Sequence, residues 1–241
     1  MKKFLSAALA LCLAFSLAAC GGSGSSTPAS TAPSGGTAGS GAAIKIGGIG
    51  PVTGSTAVYG NAVKNGAEIA IAEINALGGQ QYEMKFEDDE NDAEKAINAY
   101  NSLKDWGMQL SLGSVTSKPC EATAAENYSD RIFALTPSAS TVAVTADKDN
   151  VFQMCFVDPN QGTASAQYIA EQKLGTKIAI IWKNDDVYSK GIHDNFVEEA
   201  EARGLEIVSD TTFATGNDTD FSVQVADAQS NGADLVFLPI Y

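Results

Sequence analysis

Leu110-Ser111-Leu112-Gly113-Ser114-Val115-Thr116-Ser117 and Ile132-Phe133-Ala134-Leu135-Thr136-Pro137-Ser138-Ala139-Ser140-Thr141 repeat one design: a short apolar run that ends in a hydroxyl-rich turn. The apolar runs, Leu110–Leu112 and Ile132–Leu135, read as buried strands. An amphipathic stretch, Pro119–Tyr128, follows the first turn. Strand, turn and helix in that order belong to an open α/β sheet, where ligands bind beyond the carboxyl ends of the strands. A helix that begins there points unpaired N–H groups into the crevice and favours an anion. Serine and threonine add donors without adding charge. The two turns together therefore predict one site for a small carboxylate, first of all the α-carboxylate of an amino acid.

The same rhythm extends on both sides of these turns. Upstream, Ile44–Ile49 is a β-rich run, followed by a Gly/Ser/Thr loop to Ser55. Val63, Ala67, Ala70, Ile74 and Leu77 fall at helical spacing, and Gly78-Gly79 stops that helix. Tyr82–Phe86 alternates as a strand, and Ala93, Ala96, Ile97, Tyr100 and Leu103 mark a second helix. This alternation of strands and helices implies a parallel sheet covered on both faces. Downstream, Val151–Val157 is apolar and Asp158-Pro159 breaks it. A second unit then starts: helix Gly162–Leu174, strand Ile178–Trp182, and a helix marked by Ile192, Phe196, Ala200 and Arg203. Leu205–Val208 reads as a strand, Phe213 as the start of a further extended piece, and Thr219 as the cap of a last helix. Leu235–Leu238 is a strand with no helix after it, so the second unit is expected to be incomplete.

The remaining residues assign a compartment. Met1-Lys2-Lys3, the apolar stretch Phe4–Leu17 and Leu17-Ala18-Ala19-Cys20 form a secretory signal over residues 1–20. Its ending resembles a bacterial lipobox, which implies cleavage before Cys20 and lipidation of that residue. Residues 21–43 are mostly small and polar and read as a flexible tether. The chain carries 15 basic and 29 acidic residues, and loss of Lys2 and Lys3 leaves a net −16. That charge argues against nucleic acid as a partner. Cys120 and Cys155 either pair or stand as two separate thiols, and they are not spaced as metal ligands.

Enzyme readings find little support. The one histidine, His193, lies mid-helix among polar neighbours, and no Gly-x-Ser-x-Gly elbow is present. Gly47-Gly48-Ile49-Gly50 runs into Pro51 and a loop rather than a helix, so it is no phosphate loop and no cofactor is expected. Glu87-Asp88-Asp89-Glu90-Asn91-Asp92 lacks the glycine and terminal glutamate of a calcium loop. It reads as a solvated strand end with a helix cap, and no metal is expected. Lys183-Asn184-Asp185-Asp186 reads as a second solvated loop, and Trp182 as a packing residue beneath the site.

These pieces resemble the bacterial branched-chain amino-acid binding proteins, the extracytoplasmic receptors of ABC importers. The resemblance rests on Ile44-Lys45-Ile46-Gly47, Gly50–Gly54, Tyr59-Gly60, Gly66–Ala70 and Ile74-Asn75 before Gly78-Gly79. It continues through Gly113–Ser117, Thr136–Ser140, Asp158 with Gln161-Gly162, Ile178–Trp182, Tyr188–Gly191, Asp220–Ser222 and Ala233-Asp234. It implies a two-lobed type I periplasmic-binding-protein-like α/β fold, with lobe 1 at residues 44–157 and part of lobe 2 at 158–241. By the same resemblance Ser117 and Ser140 bind the carboxylate and the Ser138 carbonyl helps hold the ammonium. Tyr59, Tyr188 and Tyr241 would wall the aliphatic side chain. The acidic ammonium partner usual in the family would lie beyond Tyr241. The implied protein is a monomer tethered to the membrane at Cys20 that passes an amino acid to ABC permease subunits. The alternative is a lobe that senses amino acids, amides or small carboxylates for signalling, since the fold serves both.

Overall fold

The structure, a computed structural model, describes residues 41–241. The signal, Cys20 and most of the tether lie outside the described residues. Five parallel strands form the first sheet: β1 (Ile44–Gly50), β2 (Tyr82–Asp88), β3 (Leu110–Ser114), β4 (Phe133–Thr136) and β5 (Val151–Gln153), in the order β2-β1-β3-β4-β5. Helices α1 (Ala57–Ala76), α2 (Ala93–Trp106) and α3 (Ser117–Asp130) make the crossovers. The second sheet is also parallel. It is built from β6 (Lys177–Lys183), β7 (Glu206–Phe213) and β8 (Leu235–Phe237), in the order β7-β6-β8. Helices α4 (Asp158–Gln172), α5 (Val187–Ala202) and α6 (Ser222–Ser230) accompany it.

Register places the two hydroxyl turns side by side. β3 and β4 pair from Leu110 opposite Phe133 to Leu112 opposite Leu135. Both strands then end at the same edge of the sheet. Beneath the turns a core of small residues, including Cys120, Ala124, Ala134, Ala139 and Val151, lets α3 lie close to the sheet. Beside it, α2 buries Ala96, Tyr100 and Leu103 of its expected stripe together with Ala99, while Ala93 and Ile97 are only half-buried. The Asp92 side chain caps this helix by accepting from the Lys95 N–H at 2.9 Å.

In the second half, Phe196 of α5 is fully buried and stacks on Phe237 of β8 with ring centroids 3.9 Å apart. Ile178 and Ile180 of β6 and Ala166 and Ile169 of α4 complete that core. The approach of α4 to α5 depends on Gly162. A Cβ there would run into the Ile192 carbonyl oxygen and lie 2.8 Å from the Phe196 nitrogen.

Several expectations from sequence are corrected. The helix expected from Gly162 already opens at Asp158-Pro159, which ends the apolar run, because proline fits the first turn of a helix. β5 spans only Val151–Gln153, and the apolar residues after it do not continue the ladder. Phe213 ends β7 instead of starting a new piece, and Thr219 does not cap α6, whose boundary residue is Phe221.

Helix α1 forms where expected, but its apolar stripe does not face a core: Leu77 is 87% exposed and Ile74 46%. Val63 and Ala67 of the same stripe are half-buried where the helix meets β1 and β2. On the second sheet, Ile181, Val225, Ala228, Val236 and Leu238 border an apolar hollow of about 440 Å³, so full cover on both faces is not seen among the described residues. No described helix is long and apolar enough to cross a membrane.

Candidate functional site

Ser117 is the first residue of α3, with Thr116 in the capping position. Its hydroxyl therefore does not cap its own helix. Instead Ser117 Oγ accepts from the backbone N–H of Ser140 at 3.1 Å and of Thr141 at 3.3 Å, which joins the two turns directly. Ser138 Oγ donates to the Val115 carbonyl at 2.7 Å, and Thr136 Oγ1 donates to the Ser114 carbonyl at 2.9 Å. Ser117 and Ser140 are buried at 0% and 3% exposure. The Ser138 hydroxyl is thus committed to holding the turns together, and only its carbonyl is left for a ligand.

The three tyrosines singled out in the sequence meet at these turns. The Tyr241 ring stacks on Tyr188 with centroids 4.3 Å apart and meets Tyr59 edge-on at 5.6 Å. The Ser117 backbone N–H donates to the Tyr241 hydroxyl at 3.1 Å. Burial pushes the Tyr241 phenol well above its usual range. Tyr188 is raised by the same cause, opposed in part by its bond with Gln161, whose Nε2 donates to the Tyr188 hydroxyl at 3.3 Å. Tyr59 comes from α1, beside the first sheet, and Tyr188 from the start of α5, beside the second. The six residues therefore come together where the two halves meet.

Other contacts join the two halves. Lys118 Nζ donates to the Asp185 carbonyl at 3.3 Å. A cavity of about 240 Å³ beside Tyr241 is lined from one side by Ser55, Thr56 and Asn91 and from the other by Lys183, Asp186 and Asp218. The Lys183–Asp186 stretch, expected from sequence to be a solvated loop, is not wholly so: Asp186 is buried at 7% exposure and caps α5 by accepting from the Ser189 N–H at 3.1 Å. Nor is Asp89 a solvated strand end: it is fully buried and its Oδ1 accepts from the Asn91 N–H at 2.9 Å.

Trp182 packs against the second core as expected, stacks on His193 at 4.2 Å and donates its Nε1–H to Asp210 at 2.8 Å. His193, expected among polar neighbours, is buried at 9% exposure between Asp194 and Asp210, with ring nitrogens 2.9 and 3.0 Å from their carboxylates. Cys120 and Cys155 are both free thiols. Burial pushes the Cys120 thiol up to about 12. Among the described residues no three His, Cys, Asp or Glu side chains gather as a metal site.

The buried acids were the residues that sequence reasoning missed. Burial, reinforced by Asp88, pushes Asp89 up to about 6. Burial also pushes Asp158 up to about 6, with Asp186 adding to it and the Ser140 hydroxyl pulling the other way. An unfolded aspartate titrates near 3.9. Between about pH 4 and 6 the folded state therefore keeps protons that the unfolded chain has lost, and stability falls as pH rises through that window. Each group accounts for about 2–3 kcal/mol across it. Acids with lowered values, such as Asp130 beside Lys104 and Asp149 beside Arg131, lose their contribution only below about pH 4. Urea unfolding is expected to show a higher midpoint at pH 5 than at pH 7, with a smaller difference in Asp89→Asn. Equal midpoints in the wild type would contradict the burial of these groups.

Known proteins share this fold. The family profile described as "Periplasmic binding protein" matches residues 43–240. The chain belongs to that family and has its type I α/β fold, with parallel sheets and flanking helices. It is similar to the Leu/Ile/Val-binding protein homolog 3 of Brucella melitensis biotype 1, 32% identical over 202 residues, 82% of this chain and 54% of that protein. Among solved structures, the branched-chain amino acid transporter substrate-binding protein LivJ of Streptococcus pneumoniae, in complex with isoleucine, superposes with a TM-score of 0.77. It is 31% identical, over 83% of this chain and 57% of that one. A solute-binding protein of a Rhodopseudomonas palustris ABC transporter, in complex with benzoate, gives a TM-score of 0.73 at 25% identity, over 82% of this chain and 55% of that one. The chain spans about half the length of the relatives it matches.

Proposed function

We propose that the protein is the extracytoplasmic solute-binding receptor of an ABC importer. It takes a branched-chain or similar amino acid between lobe 1 (44–157) and lobe 2 (158–241) and delivers it to the permease. It acts as a monomer tethered to the membrane through a lipid at Cys20, and it performs no catalysis. The observation that carries this reading is the joined pair of turns, where Ser117 and the Ser140 backbone meet under the Tyr241 hydroxyl. The similar proteins support it: the isoleucine bound by LivJ and the benzoate bound by the Rhodopseudomonas protein share one group, a carboxylate.

In this reading the ligand carboxylate takes the Ser117 N–H from Tyr241 and adds the Ser117 and Ser140 hydroxyl protons. A desolvated carboxylate needs that many donors to be held. Tyr59 and Tyr188 then flank the side chain, and contacts such as Lys118 to Asp185 favour the closed form.

The test is calorimetry on the full-length protein with branched-chain amino acids and small carboxylates. Binding is expected, and Ser117→Ala or Ser140→Ala is expected to weaken it by about 1–3 kcal/mol each. Wild-type affinity in both variants would remove the carboxylate assignment. Radiolabelled palmitate incorporated by the wild type and lost in Cys20→Ala would support the anchor; equal labelling would remove it.

A further inference from the structure

Every backbone polar group of the second hydroxyl turn from Ala139 to Thr141 has a partner, and the partners divide by kind. The N–H groups of Ser140 and Thr141 both meet Ser117 Oγ, at 3.1 and 3.3 Å. The Ala139 N–H donates to Thr136 Oγ1 at 3.1 Å. The carbonyls are held by the segment that runs from β5 into α4 and by the turn that follows. The Ala139 carbonyl accepts from Gln153 Nε2 at 2.5 Å, and the Ser140 carbonyl accepts from the Asp158 N–H at 2.9 Å. The Thr141 carbonyl accepts from Gln153 Nε2 at 3.4 Å and from the Val144 N–H at 3.3 Å.

This division sets the direction of two peptide units. The Ala139 carbonyl and the Ser140 N–H belong to one unit, and in a trans peptide they point opposite ways. The Ser140 carbonyl and the Thr141 N–H belong to the next. Both units therefore stand with their oxygen ends on the β5–α4 segment and their N–H ends on Ser117. Successive N–H groups that converge in this way form a concavity favourable to an anion. The Gln153 side chain is suited to hold the oxygen ends: both of its partners are acceptors, and a primary amide carries two N–H donors on one nitrogen. Gln153 is paired with Thr136 in the β4–β5 ladder, so it starts one strand away from the beginning of the turn. Cys155 Sγ adds only a weak donation to the Ala139 carbonyl, at 3.2 Å.

We propose that Gln153 is a positioning residue for the carboxylate. By holding the Ala139 and Thr141 carbonyls it keeps the Ser140 and Thr141 N–H groups aimed at Ser117 and at the anion beside it. This rests on the proposed function above and deepens it, with a residue that acts through the turn and not on the ligand. Without the Gln153 amide, the first peptide unit is tied at its N–H end and held at its oxygen end by a thiol alone. The unit can then swing about its flanking bonds, and its positive end leaves the site. The charge that the turn presents to the ligand is thus set from the strand beside it.

The test is calorimetry with L-leucine on the full-length protein. Gln153→Met keeps the length of the side chain and removes its donors, and is expected to weaken leucine by about 5- to 30-fold. Gln153→Glu keeps the test intact if that variant fails to fold: it has the same size, turns acceptors toward the two carbonyls, and should lose at least as much. The loss should be the same for L-valine, since the carboxylate and not the side chain is what the turn holds. In a Ser117→Ala background, Gln153→Met should weaken leucine by less than about threefold, because the oxygen shared by the two N–H groups is gone and coupled effects do not add. A residue that served only the stability of β5 would lower the unfolding midpoint and leave these affinities unchanged. Leucine affinity within about twofold of wild type in either folded variant, or the same fold loss in both Ser117 backgrounds, would overturn the positioning role and leave the receptor reading standing. A wild type that binds no branched-chain amino acid or small carboxylate would overturn the receptor reading and this role with it.

Discussion

Phe196→Ala is expected to lower the free energy of unfolding by about 3–5 kcal/mol. The Phe196 side chain is fully buried at the centre of the second core, face to face with Phe237 and packed on Ile178 and Ile180. Truncation removes an aromatic ring from between a helix and a sheet. The strands beside it are fixed by their ladders to β7 and β8 and have little freedom to collapse into the gap. Domains of this size are stable by about 5–15 kcal/mol in total, so the loss takes a large share. Urea unfolding read at Trp182, which packs against the same core, checks it. Val223→Ala is the control, since Val223 is 76% exposed, and should move stability by no more than about 0.5 kcal/mol. A loss below 1 kcal/mol at Phe196 would mean that α5 does not pack as described.

Gly162→Val is expected to cost about 3 kcal/mol or more, for the opposite reason. The space at Gly162 is filled by backbone, the Ile192 carbonyl and the Phe196 nitrogen, together with Asn195 Cβ at 3.1 Å. A side chain could be relieved by a change of rotamer, but a helix backbone moves only as a body. Helices α4 and α5 must then separate, which disturbs Asp158 and Tyr188 at their starts as well as the core beneath. Loss of ligand binding together with stability is the expected pattern. A variant that unfolds within 1 kcal/mol of wild type would show that the crossing has slack that the structure does not.

The elements best foreseen are those whose neighbours are themselves regular. β6 is buried by helices and carries a near-continuous apolar run, so Ile178–Trp182 declares itself. In β3 and β4, against the expectation of buried apolar runs, the buried residues are small, Ser111, Ala134 and Thr136 among them, while Leu110, Leu112 and Leu135 are half-buried and Phe133 is 45% exposed. Helix α2 packs on one sheet along one stripe, and its 3.6-residue period is plain. Helix α1 has the same kind of stripe, yet part of the stripe lies open among the described residues. Periodicity reports which face is apolar and says nothing of what covers it.

The site was legible in part for a similar reason. Hydroxyl turns after strands have a local signature, and Tyr59, Tyr188 and Tyr241 follow elements that a parallel topology brings together. Asp158 figures in the sequence only as part of a matching piece with Gln161-Gly162, with no role attached. Before proline it reads as the end of an apolar run, and its burial comes from Gly191 on another helix and Ser140 in the turn after β4. Asp89 and Asp186 were misread as solvated because charge is the strongest surface signal in a sequence. The signal that could have found Asp158 was proline in the first helical turn, which places the preceding acid at the helix start.

The phenol resting on the Ser117 amide sets how anything else can bind there. Arrival of a new acceptor is an exchange, since that amide already has a partner and regains nothing by count. What remains is the difference between a neutral oxygen and a charged one, and charge-assisted bonds are about twice as strong. An alcohol or a primary amide in the same place would win no such difference. The resting tyrosine therefore acts as a threshold: it sets how strong an acceptor must be before the cleft yields to it.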